Sequence, residues 1–557
     1  MVGGLSGAPE RPLIEYLLDR AESTEVAFTY LDCTGGRDAE PRDLTWAELV
    51  RQVRAVATRL RQVAAPGDRV ALVTPQDLTY VVGFLGALYA GVVAVPLFAP
   101  EVRSHRQRLI GALNDCEARV WLTSRSAVDK LTDFTTSAPV TPPAHLLCVD
   151  DLLLPAEDAD LLLPAEAGQR VAYLQYTSGS TREPAGAVIT HRALTASAWQ
   201  VAGAYQVDHR TTCAGWIPFF HDMGLIQLMC VPVFTGARAV FMQPLEFIRR
   251  PVRWLRQLSD YPAVFTAAPN FAFDYAVTAV PASARKSLDL GDVRVALNGS
   301  EPVRPATVRA FAEAFAPCGF RPEAHRPSYG LAEATVYVSS AGDEGPTITT
   351  FDRDALATGS AVVAETGTEL VSVGRPFGQE VRIVDNESGE VCPDGQVGEI
   401  QVRGPHLALG YWRQPERSAE TFTDGWLRTG DLGVVHDGQL YITGRIKDLI
   451  IVDGRNLYPQ DIEETAADAH PGIRRDRVAA FGIADDRGEG VVVLAEPVRD
   501  QAVDFAEVSK AVRAAVSAQH EVALRDFMLL PAEDGGVPRT SSGKVARSAA
   551  KARYEAR

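Results

Sequence analysis

Short apolar runs with strand character recur between segments of helical spacing along most of this chain. That alternation limits it to a few architectures. Arg69–Val73 (RVALV), Arg119–Leu122, Ala239–Met242, Ala263–Thr266 and Val293–Leu297 are such runs, whereas Thr45–Val63 carries apolar residues at helical intervals. Strands apolar throughout their length are buried on both faces, which requires helices packed against a largely parallel sheet. The predicted fold class is therefore α/β. Residues 81–100 (VVGFLGALYAGVVAVPLFAP) hold no charge over twenty positions. Three glycines and two prolines interrupt them, so they are expected to form a buried helix ending near Gly91 and then a core strand, Val92–Val95, rather than a transmembrane segment.

At 557 residues, 46% apolar and 23% charged, the chain has material for a large core and is not a disordered polymer. With 55 Lys plus Arg against 71 Asp plus Glu, the net charge is −16. Bulk attraction to nucleic acid or to an anionic membrane is thereby disfavoured. The seven cysteines are scattered without a CxxC pair, which argues against a zinc ribbon or a disulfide framework and fits a reducing cytoplasm. No basic segment followed by an apolar one marks the start as a signal peptide. Only six lysines stand against 49 arginines, so each lysine carries more information than usual.

Residues 131–170, rich in Pro, Thr and Asp and containing a doubled LLLPAE at 152–157 and 161–166, read as a connecting stretch. After about residue 374 the texture changes to short alternating strands (VRIVD at 381–385, EIQVRG at 399–404, QLYITG at 439–444), which predicts a small β-rich module. From Asp448 the strand-and-helix pattern returns for enough residues to make a separate small domain. Gly535–Lys544 (GGVPRTSSGK) reads as an exposed loop whose terminal lysine can reach another domain.

Tyr176–Gly186 (YTSGSTREPAG) follows the apolar run Val171–Leu174. Its five small residues, Thr177, Ser178, Gly179, Ser180 and Thr181, offer backbone N–H groups and hydroxyls at a strand end, an arrangement able to wrap phosphate oxygens. It is not a Walker loop, because no GK[ST] closes it. The string resembles the phosphate loop of the adenylate-forming superfamily of acyl-CoA ligases, luciferases and peptide-synthetase adenylation domains.

Five further strings resemble that superfamily in the same order: WIPFFHDMG (216–224), NGSEPV (298–303), SYGLAEAT (328–335), TGD (429–431) with GRIKDLIIVDGRNLYPQD (444–461), and RTSSGK (539–544). Taken singly, His221 would be a core histidine, Tyr329 a core aromatic, Glu333 a helix-surface charge, Asp431 an N-cap, Arg445 and Lys447 a solvated pair, and Lys544 a tail lysine. Their common order decides otherwise. The resemblance implies that His221 lies beside the substrate carboxylate and that Gly299, Ser300, Glu301 and Pro302 form the adenine-contacting turn. It implies that Ser328, Tyr329, Gly330 and Ala332 frame adenine, with Tyr329 stacked on the base. Glu333 would hold Mg2+ on ATP, Asp431 and Arg445 the ribose, Lys447 the hinge and Lys544 the catalytic charge. Where the superfamily has glycine and lysine in the phosphate loop, this chain has Arg182 and Ala185, and Arg182 is expected to replace the missing charge.

Several of these strings, with TAAPNFAF (266–273) and GRNLYPQDIE, resemble fatty acyl-AMP ligases more than acyl-CoA ligases. Residues 341–372 are expected to be the insertion that hinders CoA-dependent transfer in that branch. The resemblance implies an α/β protein with a large N-terminal domain over 1–444, a hinge at 445–447 and a mobile α+β C-terminal domain over 448–557. Its expected activity is ATP-dependent formation of a fatty acyl-adenylate with release of pyrophosphate. The acyl group would then pass to the phosphopantetheine thiol of a separate acyl carrier protein. Acyl-CoA ligase and aryl- or amino-acid-adenylating activities stand as alternatives, Asp274 being the one carboxylate noticed for a substrate amine. A nucleotide-binding regulator without turnover is the alternative of another class, kept open by Ala185.

Overall fold

The computed structural model describes residues 7–36, 39–100, 105–153, 167–176, 184–452, 455–485, 488–498, 503–539 and 544–557. Two large sheets dominate. The first holds eight strands, in the order Ser339–Ser340, His325–Tyr329, Val293–Gly299, Val264–Pro269, Thr212–Gly215, Arg238–Phe241, Val26–Asp32 and Glu40–Thr45. Its interior pairings are parallel, and the two outermost are antiparallel. The second holds six strands, in the order His145–Cys148, Val120–Thr123, Arg69–Leu72, Val93–Pro96, Val171–Tyr176 and Gly186–Thr190.

The largest core cluster joins both sheets through the helices Trp46–Val63, Leu78–Ala90 and His191–Tyr205. Helix Trp46–Val63 starts where expected: Thr45 Oγ1 accepts from the Glu48 N–H at 3.3 Å while Glu48 accepts from the Thr45 N–H at 3.0 Å, a reciprocal cap. The uncharged stretch 81–100 resolves as that reading requires. The helix Leu78–Ala90 closes at Gly91 with φ +70°, a left-handed cap that glycine adopts at no steric cost, and the strand Val93–Pro96 follows. Among the described residues no helix is long and apolar enough to cross a membrane.

The stretch 131–170 is more structured than its composition suggests. Helix Val128–Ser137 and strand His145–Cys148 occupy its first part, because Leu131 and Phe134, three residues apart, share one buried face. Most of the doubled LLLPAE lies outside the described residues.

The β-rich module forms as expected: Glu380–Val384, Gly398–Arg403, Trp426–His436 and Phe422–Thr423 make one sheet, and Gln439–Arg445 pairs with Trp426–His436. Beyond Leu449, two core clusters draw only on later residues. There the strands Ile473–Asp485, Gly488–Pro497 and Leu524–Leu529 pack against helices Pro459–Asp468 and Phe505–His520. The loop read as exposed from Gly535 is exposed only in part: Val537 is buried in that core, and its N–H donates to Glu496 Oε1 at 2.8 Å.

Candidate active site

The site gathers at the carboxyl ends of three adjacent parallel strands, where an open α/β sheet offers a crevice. Next to last in strand Val293–Gly299 is Asn298, wholly buried, whose Nδ2 lies 3.0 Å from His325 Nε2 and 3.3 Å from Asn270 Oδ1. Asn270 Oδ1 also accepts from the Arg304 N–H at 3.1 Å, so one buried amide pair fixes both ends of the turn 299–304. Burial pushes His325 down to about 3 and keeps it neutral as a structural partner. Glycine is required at Gly299, since a Cβ would lie 2.9 Å from the Ser328 carbonyl oxygen. Ser300 takes a left-handed φ of +66°, which turns its carbonyl out of the strand direction. Pro302 is exposed on the same turn.

On one side of this turn, Tyr329, Asp431 and Arg445 form a chain. The Tyr329 hydroxyl donates to Asp431 Oδ2 at 2.6 Å, and Arg445 Nε donates to Asp431 Oδ1 at 2.6 Å. Asp431 and Arg445 face one another in register across paired strands. The Asp431 carboxylate raises Arg445, while burial, and then Asp431, push the Tyr329 hydroxyl well above its ordinary value. Each Asp431 oxygen keeps a second lone pair, so the carboxylate is oriented and still able to accept. Gly330 passes so close to the Val336 carbonyl that a Cβ would lie 1.5 Å from it. Ser328 spends its hydroxyl on Tyr205 (2.7 Å) and on the Arg326 carbonyl (3.0 Å). Ala332 is buried as the first residue of the short turn that carries Glu333.

On the other side lies His221, whose Nδ1 is 2.7 Å from Asp222 Oδ1. The segment bearing it is pinned by buried Gln76, which accepts from the Phe219 N–H at 2.7 Å and donates to the Ile217 and Met242 carbonyls at 3.2 and 3.0 Å. Burial would raise Asp222, but the His221 ring beside it, the Met223 N–H and Lys544 hold its carboxyl below the usual range.

Lys544, from the far end of the chain, places its ammonium on the Ser300 carbonyl oxygen. Burial pulls Lys544 below an ordinary lysine, and Glu301 and Asp222 act against that pull. Glu301 is raised by burial, with Lys544 restraining the rise, and its Oε1 accepts from the Phe271 N–H at 2.6 Å. Three residues past Lys544, Arg547 donates to both Glu463 oxygens at 2.7 Å and to Asp448 Oδ2 at 3.1 Å. The segment that carries the lysine is thus tied to Asp448, whose neighbour Lys447 is lowered first by burial and then by Arg445.

Thr177, Ser178, Gly179, Ser180, Thr181 and Arg182 lie outside the described residues, as does the stretch 540–543. The described residues that flank the stretch read as a phosphate loop make contacts of their own. Glu333 Oε1 accepts from the Tyr411 hydroxyl at 2.6 Å, and Tyr411 bridges to Ala187 just after the loop. Arg108, which the sequence reading passed over, donates to the Tyr176 carbonyl at 3.1 Å immediately before it. Burial lowers Arg108 to about 10, which leaves it cationic. Among the described residues no three His, Cys, Asp or Glu side chains gather to cage a metal. One carboxylate beside a phosphate loop suits Mg2+, which takes most of its oxygens from phosphates and water.

Sequence reading also missed Gln76, Asn270, Tyr411 and Arg547. Gln76 and Asn270 leave a legible sign, a polar amide just past an apolar strand. Tyr411 and Arg547 leave none.

A family profile described as AMP-binding enzyme matches residues 19–412. A long-chain-fatty-acid–AMP ligase, FadD32 of Mycolicibacterium smegmatis, is 42% identical over 96% of this chain and 92% of its own length. A 4-hydroxyphenylalkanoate adenylyltransferase of Mycobacterium marinum is 40% identical over 95% of this chain and 88% of its own. A structure from a study of fatty acyl-adenylate ligases of E. coli and L. pneumophila superposes with a TM-score of 0.87, at 32% identity and 99% coverage of both chains. The chain belongs to the AMP-binding enzyme family and, within it, to the fatty acyl-AMP ligases.

Proposed function

We propose that this protein activates a fatty acid with Mg·ATP to the acyl-adenylate, releases pyrophosphate, and passes the acyl group to the phosphopantetheine thiol of a separate acyl carrier protein. The observation that carries the reading is Lys544, delivered from the end of the chain onto the Ser300 carbonyl, between Asp222 and the Tyr329–Asp431–Arg445 chain. Attack of a carboxylate on the α-phosphate brings two anions together, so a fixed cation is needed where their charges meet. Lys544 is that cation. Glu301 and Asp222 keep it protonated at low exposure, where its field is least screened. Asp431, aimed by Arg445, accepts from the ribose hydroxyls, and the Tyr329 ring covers adenine. His221 sits at the carboxylate side. Glu333 would hold Mg2+, which supplies charge neutralisation at the departing pyrophosphate.

We read residues 1–444 as the adenylation domain, 445–447 as the hinge and 448–557 as the mobile domain. Residues 341–372 fold into a hairpin, Ile348–Phe351 with Thr368–Val371, and a helix, Arg353–Ala357. Arg353 donates to the Gln519 carbonyl, Asp354 lies 3.2 Å from Arg455, and the Tyr458 hydroxyl donates to the Leu356 carbonyl at 3.4 Å. These contacts support a tether that disfavours the rotation CoA transfer needs. A cytoplasmic location is supported by seven cysteines that are all unpaired.

The test is mass detection of products from Mg·ATP and fatty acids of graded length, with and without CoA. Acyl-adenylate that persists in the presence of CoA is expected. Conversion to acyl-CoA would remove the AMP-ligase reading, and the absence of pyrophosphate release would remove adenylation altogether.

A further inference from the structure

We infer that the cavity beside the adenylation site selects acids that carry a hydroxyl on the tail, with the Gln227 amide as its partner. The inference rests on the adenylation reading above and names a substrate class within it. Asp222, Gly299, Ser300, Tyr205, Tyr337 and Gln227 share the lining of this one cavity. Gln227 is 3% exposed, and its Oε1 is buried without a hydrogen-bond partner.

Other buried glutamines differ. Gln175, Gln200 and Gln257 also leave an Oε1 unmatched, but each Nε2 donates to a backbone carbonyl, at 2.9, 3.2 and 2.7 Å. Among the described residues no hydrogen bond reaches the Gln227 side chain from either end. Leaving a buried amide oxygen without a donor is costly, so a site that keeps one gains something when a ligand fills it. The two tyrosine hydroxyls nearby are already engaged, Tyr205 with Ser328 at 2.7 Å and Tyr337 with Ser340 at 3.2 Å. Gln227 is left as the polar group on offer.

Its backbone is also unusual. Ile226–Cys230 is a five-residue π-helical turn, a form found mostly as a single turn and often at functional sites. Gln227 lies five residues beyond Asp222 on the same helical run, roughly 7 Å along the axis at about 1.5 Å per residue. Its partner is therefore part-way along the tail and not at the reacting carboxylate. An unsubstituted alkyl chain would seal the amide from water without pairing it. A hydroxyl both donates and accepts, so it satisfies either end of the amide. Asp222 is the one charged side chain among the residues lining the cavity, and its negative charge disfavours an anionic substituent.

The experiment compares pyrophosphate release by the full chain with Mg·ATP across three matched pairs. These are hexanoic and 6-hydroxyhexanoic acid, dodecanoic and 6-hydroxydodecanoic acid, and 3-phenylpropanoic and 3-(4-hydroxyphenyl)propanoic acid. At least one hydroxylated acid should exceed its partner by about tenfold or more in kcat/KM, since a site built to pair a hydroxyl rejects the analogue without one. The pair that responds tells an aliphatic tail from a phenolic one. Gln227→Leu should bring that pair to within about twofold, by favouring the plain acid and penalising the hydroxylated one. If the Leu variant does not fold, Gln227→Met, of similar length, takes its place. Equal kcat/KM within all three wild-type pairs, or a preference that survives loss of the amide, overturns the inference. Pyrophosphate release with none of the six acids overturns the adenylation reading and this inference with it.

Discussion

The two halves of the site are held in different ways. The turn 299–304 rests on wholly buried amides, Asn298 and Asn270, at the end of a central strand, with a glycine that tolerates no Cβ. Lys544 is held by ion pairs that Arg547 makes with Glu463 and Asp448 and by one backbone carbonyl. Breaking the first arrangement strands polar groups in a dry core, whereas the Arg547, Asp448 and Glu463 side chains of the second, 18%, 17% and 14% exposed, keep an edge toward water. On the proposed reading the binding half is built to stay and the catalytic half to leave, as an enzyme that adenylates and then admits a thiol requires.

The sharpest break in this comparison is Lys544→Ala. Adenylate formation should fall by about 10²–10³-fold, the loss typical of one preorganised stabilising group, while ATP binding by calorimetry stays within a few-fold. An unchanged adenylate yield would take Lys544 out of the mechanism. The pH profile sharpens the same point. Lys544 acts when charged and is lowered by burial, so adenylation should decline as pH rises through a value below that of an ordinary lysine. Lys544→Arg should move that decline upward.

Asp431→Asn tests the staying half. It removes a charged acceptor and leaves Arg445 without its carboxylate, so KM for ATP should rise by about 10–100-fold, corresponding to roughly 1.5–3 kcal/mol for a hydrogen bond to a charged group. A rise in KM for the fatty acid alone would refute the assignment. Arg547→Ala should act on the leaving half only, lowering kcat about tenfold with KM for ATP nearly constant. The smallest effect is expected of Arg353→Ala, which frees one tether between the 341–372 segment and the Gln519 carbonyl. Acyl-CoA formation should then rise a few-fold, and no rise at all would assign that contact to folding.

Much of the fold was legible because buried strands are apolar along their whole length and helices repeat. The reading of 81–100 as a helix ending near Gly91 and then a strand came from those rules alone. Helix Val128–Ser137 escaped because polar Thr and Asp fill its exposed face, and only Leu131 and Phe134 carry its signal. Within the site, Tyr329, Glu333 and Lys544 sit in short strings that can be recognised where they stand. Their partners do not. Tyr411 reaches Glu333 across 78 residues, and Gln76 supports Phe219 across 143. No local pattern records such pairings, because only the completed sheets bring the two ends together.

The register of Asp431 opposite Arg445 puts the proposed sugar contact and the first residue of the proposed hinge on one rung of a β-ribbon, with Lys447, the proposed pivot, two residues further on. A ligand that draws the carboxylate away from the guanidinium therefore pulls at the root of the lever it depends on. On the proposed reading, arrival and departure of the nucleotide are the clock by which the distal arm swings, without a separate messenger between them.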